Sequence, residues 1–88
     1  MQGYLYILQS EKTQKYYIGS TIDLTKRLTQ HNQGQTKSLK QHIPLTLKFK
    51  QQFDTITQAR QIEYKLKKKK NKQIIEAIIR DQEIKMGR

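Results

Sequence analysis

Arg27 and His31 stand four residues apart in the stretch Asp23-Leu24-Thr25-Lys26-Arg27-Leu28-Thr29-Gln30-His31-Asn32. In a helix this spacing puts both on one face. Leu24 and Leu28, the only apolar residues of the stretch, share that face. A helix with a purely structural job would keep leucine or alanine there and send charge to the other side. A guanidinium grips an anion through a planar fork, and an imidazole can carry a proton near neutral pH. Just upstream, Tyr17-Ile18-Gly19 supplies a phenol on a strand and a glycine that lets the backbone turn closely. The chemistry offered is anion binding combined with proton transfer.

A carboxylate partner is found by elimination, because the chain has only seven acids. Glu11 falls in a loop, Asp23 at a helix start, Asp54 in a connection, Glu76 opposite an isoleucine stripe, and Asp81 and Glu83 near the C-terminus. Glu63 alone sits mid-helix beside an apolar stripe, between Ala59 and Leu66. A carboxylate there loses hydration unless a cation or a donor meets it. Two readings fit: an ion pair with a neighbouring lysine, or a metal ligand. His31 is likewise either a hydrogen-bonded structural residue or a proton carrier. His42 reads as plain surface, Tyr4 and Tyr16 as sheet aromatics, and Tyr64 as partly exposed. There is no glycine-rich phosphate loop, no His-Glu-x-x-His and no serine triad pattern.

Eighteen lysines and arginines against seven acids give a net charge of +11 on 88 residues. Such an excess points to a polyanionic partner, most simply nucleic acid. Lys37 and Lys40 in a polar loop, and Lys67 and Lys70 in the block from Lys65 to Lys72, are the candidate nucleic-acid contacts. The usual reading of such a block is a solvated face. Without cysteine, disulfides and thiolate metal sites are excluded. The N-terminus lacks the basic and apolar regions of a secretory signal, and the longest apolar run, Tyr4 to Leu8, cannot span a bilayer. A cytoplasmic protein with no membrane partner is expected.

The elements that must position these groups follow from the pattern. Gly3 to Leu8 and Tyr16 to Gly19 read as two strands of a hairpin. With Ser10 to Thr13 as the loop, Gln9 pairs with Gln14 and Tyr6 lies opposite Tyr17. Leu5, Ile7, Tyr16 and Ile18 then share one face, and Tyr4, Tyr6, Leu8, Tyr17 and Gly19 the other. Thr21 or Asp23 caps the following helix, and Gly34 ends it in a left-handed conformation. A polar loop runs from Gln33 to Ile43. Leu45, Leu47 and Phe49 alternate with polar residues as a third strand. Thr57 caps a helix from Gln58 to about Lys69. Ile74, Ile75, Ile78 and Ile79 mark a second amphipathic helix that covers the core, and residues beyond Glu83 are expected to fray. The pattern predicts a single α/β (α+β) domain over residues 1–88, ordered β-β-α-β-α-α.

Tyr4-Leu5-Tyr6, Tyr17-Ile18-Gly19, Arg27, His31-Asn32 and Glu63, in that order, resemble the GIY-YIG nuclease superfamily, in particular its small stand-alone members. The resemblance runs from Tyr4 to about Ile79. It implies a three-stranded antiparallel sheet flanked by helices, and a divalent-metal-dependent phosphodiesterase acting on DNA. It places the functional positions at Tyr6, Tyr17, Gly19, Arg27, His31 and Glu63. Glu63 would hold one Mg²⁺ or Mn²⁺ and Arg27 would clamp phosphate oxygens. Tyr6 would act as base with Tyr17 as its partner, their roles exchangeable, and His31 would orient a tyrosine or relay the proton. Gly19 would let backbone approach substrate. The chain departs from the family's pattern where Tyr4 and Leu5 replace glycine and isoleucine, and where Ser20 replaces a frequent lysine. Asn71 is the nearest match to a late asparagine. Participation in DNA repair or recombination, with a protein partner supplying specificity, is the expected setting. The rival readings are a non-catalytic nucleic-acid-binding module with a nuclease fold and a basic RNA- or ribosome-associated protein.

Overall fold

The computed structural model describes residues 1–35, 37–69 and 71–84, the side chains of residues 37–39 excepted. Strands β1 (Gly3–Ser10), β2 (Tyr16–Thr21) and β3 (Leu45–Phe53) form an antiparallel sheet in the order β2-β1-β3. Helix α1 (Leu24–Asn32) covers one face; α2 (Ile56–Lys69) and α3 (Lys72–Asp81) cover the other. The element order β-β-α-β-α-α is the one expected, and a 3₁₀ segment, Lys37–His42, occupies part of the predicted polar loop. No helix among the described residues is long and apolar enough to cross a membrane.

β1 lies in the middle because it is apolar on both sides. Leu5 and Ile7 are fully buried against Leu66, Ile78 and Phe49, while Tyr6 and Leu8 are buried with Leu45 beneath Leu24 and Leu28 of α1. A continuous apolar run suits a strand covered on both faces. The four isoleucines of α3 belong to the first of these layers, with Ile78 buried.

The hairpin register differs from the expectation by two residues. Tyr6 lies opposite Gly19, not Tyr17, and Tyr17 lies opposite Leu8. The loop sits one residue further along than expected: the amide of Ser10 bonds the carbonyl of Lys15, which closes the turn over residues 11–14, and Gln14 adopts a left-handed φ of 66°. The fully buried Ser10 hydroxyl accepts from the amides of Lys12 and Thr13 and donates to the carbonyl of His42 at 2.6 Å. A shift of two preserves the faces, so Tyr6, Tyr17 and Gly19 remain on one side.

β3 is not one alternating strand. Ile7 pairs with Phe49 but Leu8 pairs with Leu47, so Lys48 is an extra, bulged residue. Leu45 and Leu47 therefore pack on the α1 side and Phe49 on the α2/α3 side. The Gln82 side chain, just past α3, donates to the Lys48 carbonyl at 3.2 Å. Ile84 is 7 % exposed and part of the core, so the chain remains packed at least one residue past the expected fraying point; residues 85–88 lie outside the described residues. α2 begins at Ile56 rather than Gln58. Its cap is a reciprocal pair, with the Thr55 hydroxyl accepting the Gln58 amide and the Gln58 side chain accepting the Thr55 amide, and not Thr57.

Candidate active site

Asp23 caps α1 by accepting the Lys26 amide at 3.0 Å, and Gly34 follows the helix with φ of 76°. Asn32 fixes the last turn against the sheet. Its amide nitrogen donates to the Leu45 carbonyl and its oxygen accepts the Leu45 amide at 2.7 Å. This clamp, with Leu24 and Leu28 packed beneath, holds His31 over β1.

His31 is 5 % exposed, as is Tyr6, and His31 Nε2 lies 3.1 Å from the Tyr6 hydroxyl. Burial pushes the Tyr6 phenol up from its ordinary value; Arg27 opposes this and Glu63 adds to it. Burial, then Arg27, pushes the His31 imidazole down. The pair therefore rests as a neutral phenol beside a neutral ring at physiological pH. With the ring proton on Nδ1, Nε2 accepts the phenol O–H.

Gly19 makes room for this phenol. A Cβ at position 19 would meet the Tyr6 hydroxyl and Cζ well inside van der Waals contact. Tyr17 stands apart. Its ring lies 5.2 Å from that of His42, and partial burial pushes its phenol up while a contact from Thr13 lowers it. Among the described residues no hydrogen bond joins Tyr17 to Tyr6. His42 is not the plain surface expected. It is half-buried, with Nδ1 3.3 Å from the Thr13 hydroxyl, and it packs on Tyr17.

Glu63 reaches the same region from the other face. Its Oε1 accepts the Ser20 hydroxyl at 2.5 Å and its Oε2 pairs with Lys67 Nζ at 2.7 Å. Arg27 is exposed and makes no ion pair among the described residues. Tyr6, Tyr17, Gly19, Ser20, Arg27, His31, Glu63 and Lys67 line one groove of about 740 Å³. Consecutive β2 residues from Tyr16 to Ser20 line it, so it runs along the edge strand and draws on both layers.

All six positions implied by the resemblance thus converge. Ser20 was missed as a Glu63 partner, because seeing it requires knowing that β2 and α2 pack together; Lys67 was foreseeable from its i,i+4 spacing to Glu63. Asn71 does not join the groove. It caps α3 by accepting the amides of Gln73 and Ile74. Of the four candidate lysine contacts, Lys67 lines the groove, and Lys40 is exposed with its chain against Gly34. The Lys37 side chain and Lys70 lie outside the described residues.

No three carboxylates or imidazoles gather among the described residues. A hard cation still fits the donor set. Glu63 offers a carboxylate with a hydroxyl beside it, and such ions commonly take one or two carboxylates and complete their shell with water and phosphate.

The pattern of the GIY-YIG catalytic domain matches residues 2–76. The chain belongs to the GIY-YIG family. It is 34 % identical over 83 residues to a UPF0213 protein of Streptococcus pneumoniae serotype 4, covering 93 % of this chain and 83 % of that one. A UPF0213 protein of Bacillus velezensis is 39 % identical over 71 residues, covering 76 % of this chain and 72 % of that one. The solution NMR structure of a UPF0213 protein from Bacillus halodurans superposes with a TM-score of 0.56 at 26 % identity, covering 90 % of this chain and 83 % of that one. This chain is thus a small GIY-YIG protein with the domain of a nuclease family.

Proposed function

We propose that this GIY-YIG chain is a divalent-cation-dependent DNA endonuclease. The observation that carries this reading is the convergence of the Tyr6/His31 pair, Arg27 and Glu63 in one groove. Electrostatic binding alone requires neither a buried phenol on an imidazole nor a carboxylate in a basic protein's groove.

In the hydrolysis, water attacks phosphorus in line. Tyr6 takes a proton from that water while its own O–H proton passes to His31 Nε2, so the pair starts neutral and the ring ends charged. The P–O bond to the water oxygen forms as the P–O bond to the sugar breaks; the leaving sugar oxygen takes up a proton from solvent, and the proton on His31 returns to solvent. Arg27, with no ion-pair partner among the described residues, clamps the non-bridging oxygens. Glu63 would hold one Mg²⁺ or Mn²⁺, which when bound would supply positive charge to offset the charge that develops in the transition state. Tyr17 lies at the groove wall against His42 and serves to shape the site rather than to share the Tyr6 proton. The neighbouring basic surface, α2's last turn above all, holds the rest of the nucleic acid.

The test is a cleavage assay on duplex, single-stranded, flapped and branched DNA with Mg²⁺, Mn²⁺ or EDTA. Cutting of at least one substrate that EDTA abolishes supports the reading. Binding without cleavage of any of them moves it to a nucleic-acid-binding module that retains the fold.

A further inference from the structure

The Glu63 carboxylate already carries a cation of the protein's own. Lys67 Nζ sits 2.7 Å from Oε2, one helical turn along α2, while Ser20 occupies Oε1. The Lys67 side chain is 56 % exposed and that of Glu63 is 21 % exposed, so the pair lies on the groove wall with solvent on the lysine's side. An exposed i,i+4 pair is weak and easily broken. An ammonium and a divalent ion cannot share one carboxylate oxygen without strong repulsion. The lysine stem is long and flexible, and its three donors suit a phosphate as well as a carboxylate. The other cation that lines the groove, Arg27, comes from the opposite layer.

We infer that Lys67 is a phosphate-positioning residue with two stations. Without a divalent ion its ammonium neutralises Glu63. When the ion takes the carboxylate, Lys67 is displaced into the groove and contacts the bound phosphate opposite Arg27. The groove thereby avoids an unpaired carboxylate when empty, and gains a second phosphate contact only when it is loaded. This inference rests on the cation reading of Glu63.

Two measurements test it, neither of which reads cleavage. The first is calorimetric titration of Mn²⁺ into the DNA-free protein. Removing the competing charge in Lys67→Met should tighten Mn²⁺ binding about five-fold. Glu63→Gln should abolish it, and the double variant should behave as Glu63→Gln. Equal Mn²⁺ affinity in wild type and Lys67→Met overturns the exchange while leaving the cation site standing. A gain that survives in the double variant also overturns it, since Glu63 would then not mediate it. No Mn²⁺ binding by either protein overturns both the cation site and the exchange. The second measurement is affinity for a phosphorothioate-linked oligonucleotide. Lys67→Met should weaken it less than about two-fold in EDTA, where Glu63 holds the lysine, and about five-fold in Mn²⁺, with a salt slope lower by about 0.7. Equal weakening in both conditions overturns the proposal. Lys67 is an exposed helix residue, and the Met variant keeps its helix propensity.

Discussion

Gly19→Ala offers a direct test of how the Tyr6/His31 pair is held. The added methyl carbon would stand against the Tyr6 hydroxyl and Cζ well inside van der Waals contact. Tyr6 is 5 % exposed and its ring packs beneath α1, so it can yield only towards the groove it lines and away from His31. Overpacking of this kind costs about 1–3 kcal/mol. Displacing the phenol from His31 removes a hydrogen bond worth about 1 kcal/mol. The expected loss is therefore about 2–4 kcal/mol, a large share of the stability of so small a domain. Urea denaturation of wild type and variant measures it. Tyr6→Phe should not relieve the clash, because the Cζ contact remains. Tyr6→Leu should, so that adding Gly19→Ala to Tyr6→Leu costs much less than adding it to wild type. If Gly19→Ala lies within about 0.5 kcal/mol of wild type and the Tyr6–His31 contact persists by NMR, Gly19 does not serve the phenol and the reasoning fails.

Other consequences follow from the same geometry. Arg27→Lys keeps the charge but loses the planar fork, so cleavage should fall at least about ten-fold while DNA affinity changes little; an unchanged cleavage rate removes Arg27 from the clamp. His31 is held below its ordinary value by burial. The unfolded state therefore binds more protons than the folded state, and stability should fall as pH drops through about 6.5 towards the folded value. Urea midpoints from pH 8 to pH 5 should show this loss in wild type and a smaller one in His31→Gln, and equal pH dependence contradicts it. DNA affinity should drop steeply with salt, given the +11 charge; a flat dependence of log K on log salt contradicts an electrostatic footprint.

The sequence carried the elements well because their patterns are local. The aromatic and β-branched run of β1, the Asp23 cap, Gly34 and the isoleucines of α3 each state their role within a few residues. The errors arose where a side chain decided the backbone. The hairpin register depended on Ser10 bonding three loop groups and on Gln14 taking a left-handed φ, neither of which a turn dipeptide announces. The β3 bulge was hidden because Leu45, Leu47 and Phe49 alternate perfectly in the sequence while packing on two faces. The start of α2 is written in Thr55-Ile56-Thr57-Gln58 as a capping box, in which Thr55 and not Thr57 is the cap. At the site, the spacing showed that Arg27 and His31 share a helix face, and the family resemblance supplied Tyr6. That Tyr6 rather than Tyr17 meets His31 follows from α1 packing over β1, a long-range arrangement. His42 reads as plain surface in the sequence because its partners, Thr13 and Tyr17, lie far along the chain in the hairpin.

Glu63→Gln bears most directly on the proposed activity. The substitution is nearly isosteric, Ala59 and Leu66 keep α2 packed, and the Ser20 hydroxyl retains an oxygen to bond. Loss of the Lys67 pair costs about 1 kcal/mol or less, so the protein should remain folded. The measurement is single-turnover cleavage of the best DNA substrate in Mn²⁺, with folding checked by circular dichroism. The expected result is a loss of at least about 100-fold relative to wild type, with DNA affinity in EDTA unchanged or slightly raised. A folded Glu63→Gln protein that cleaves at the wild-type rate would contradict it.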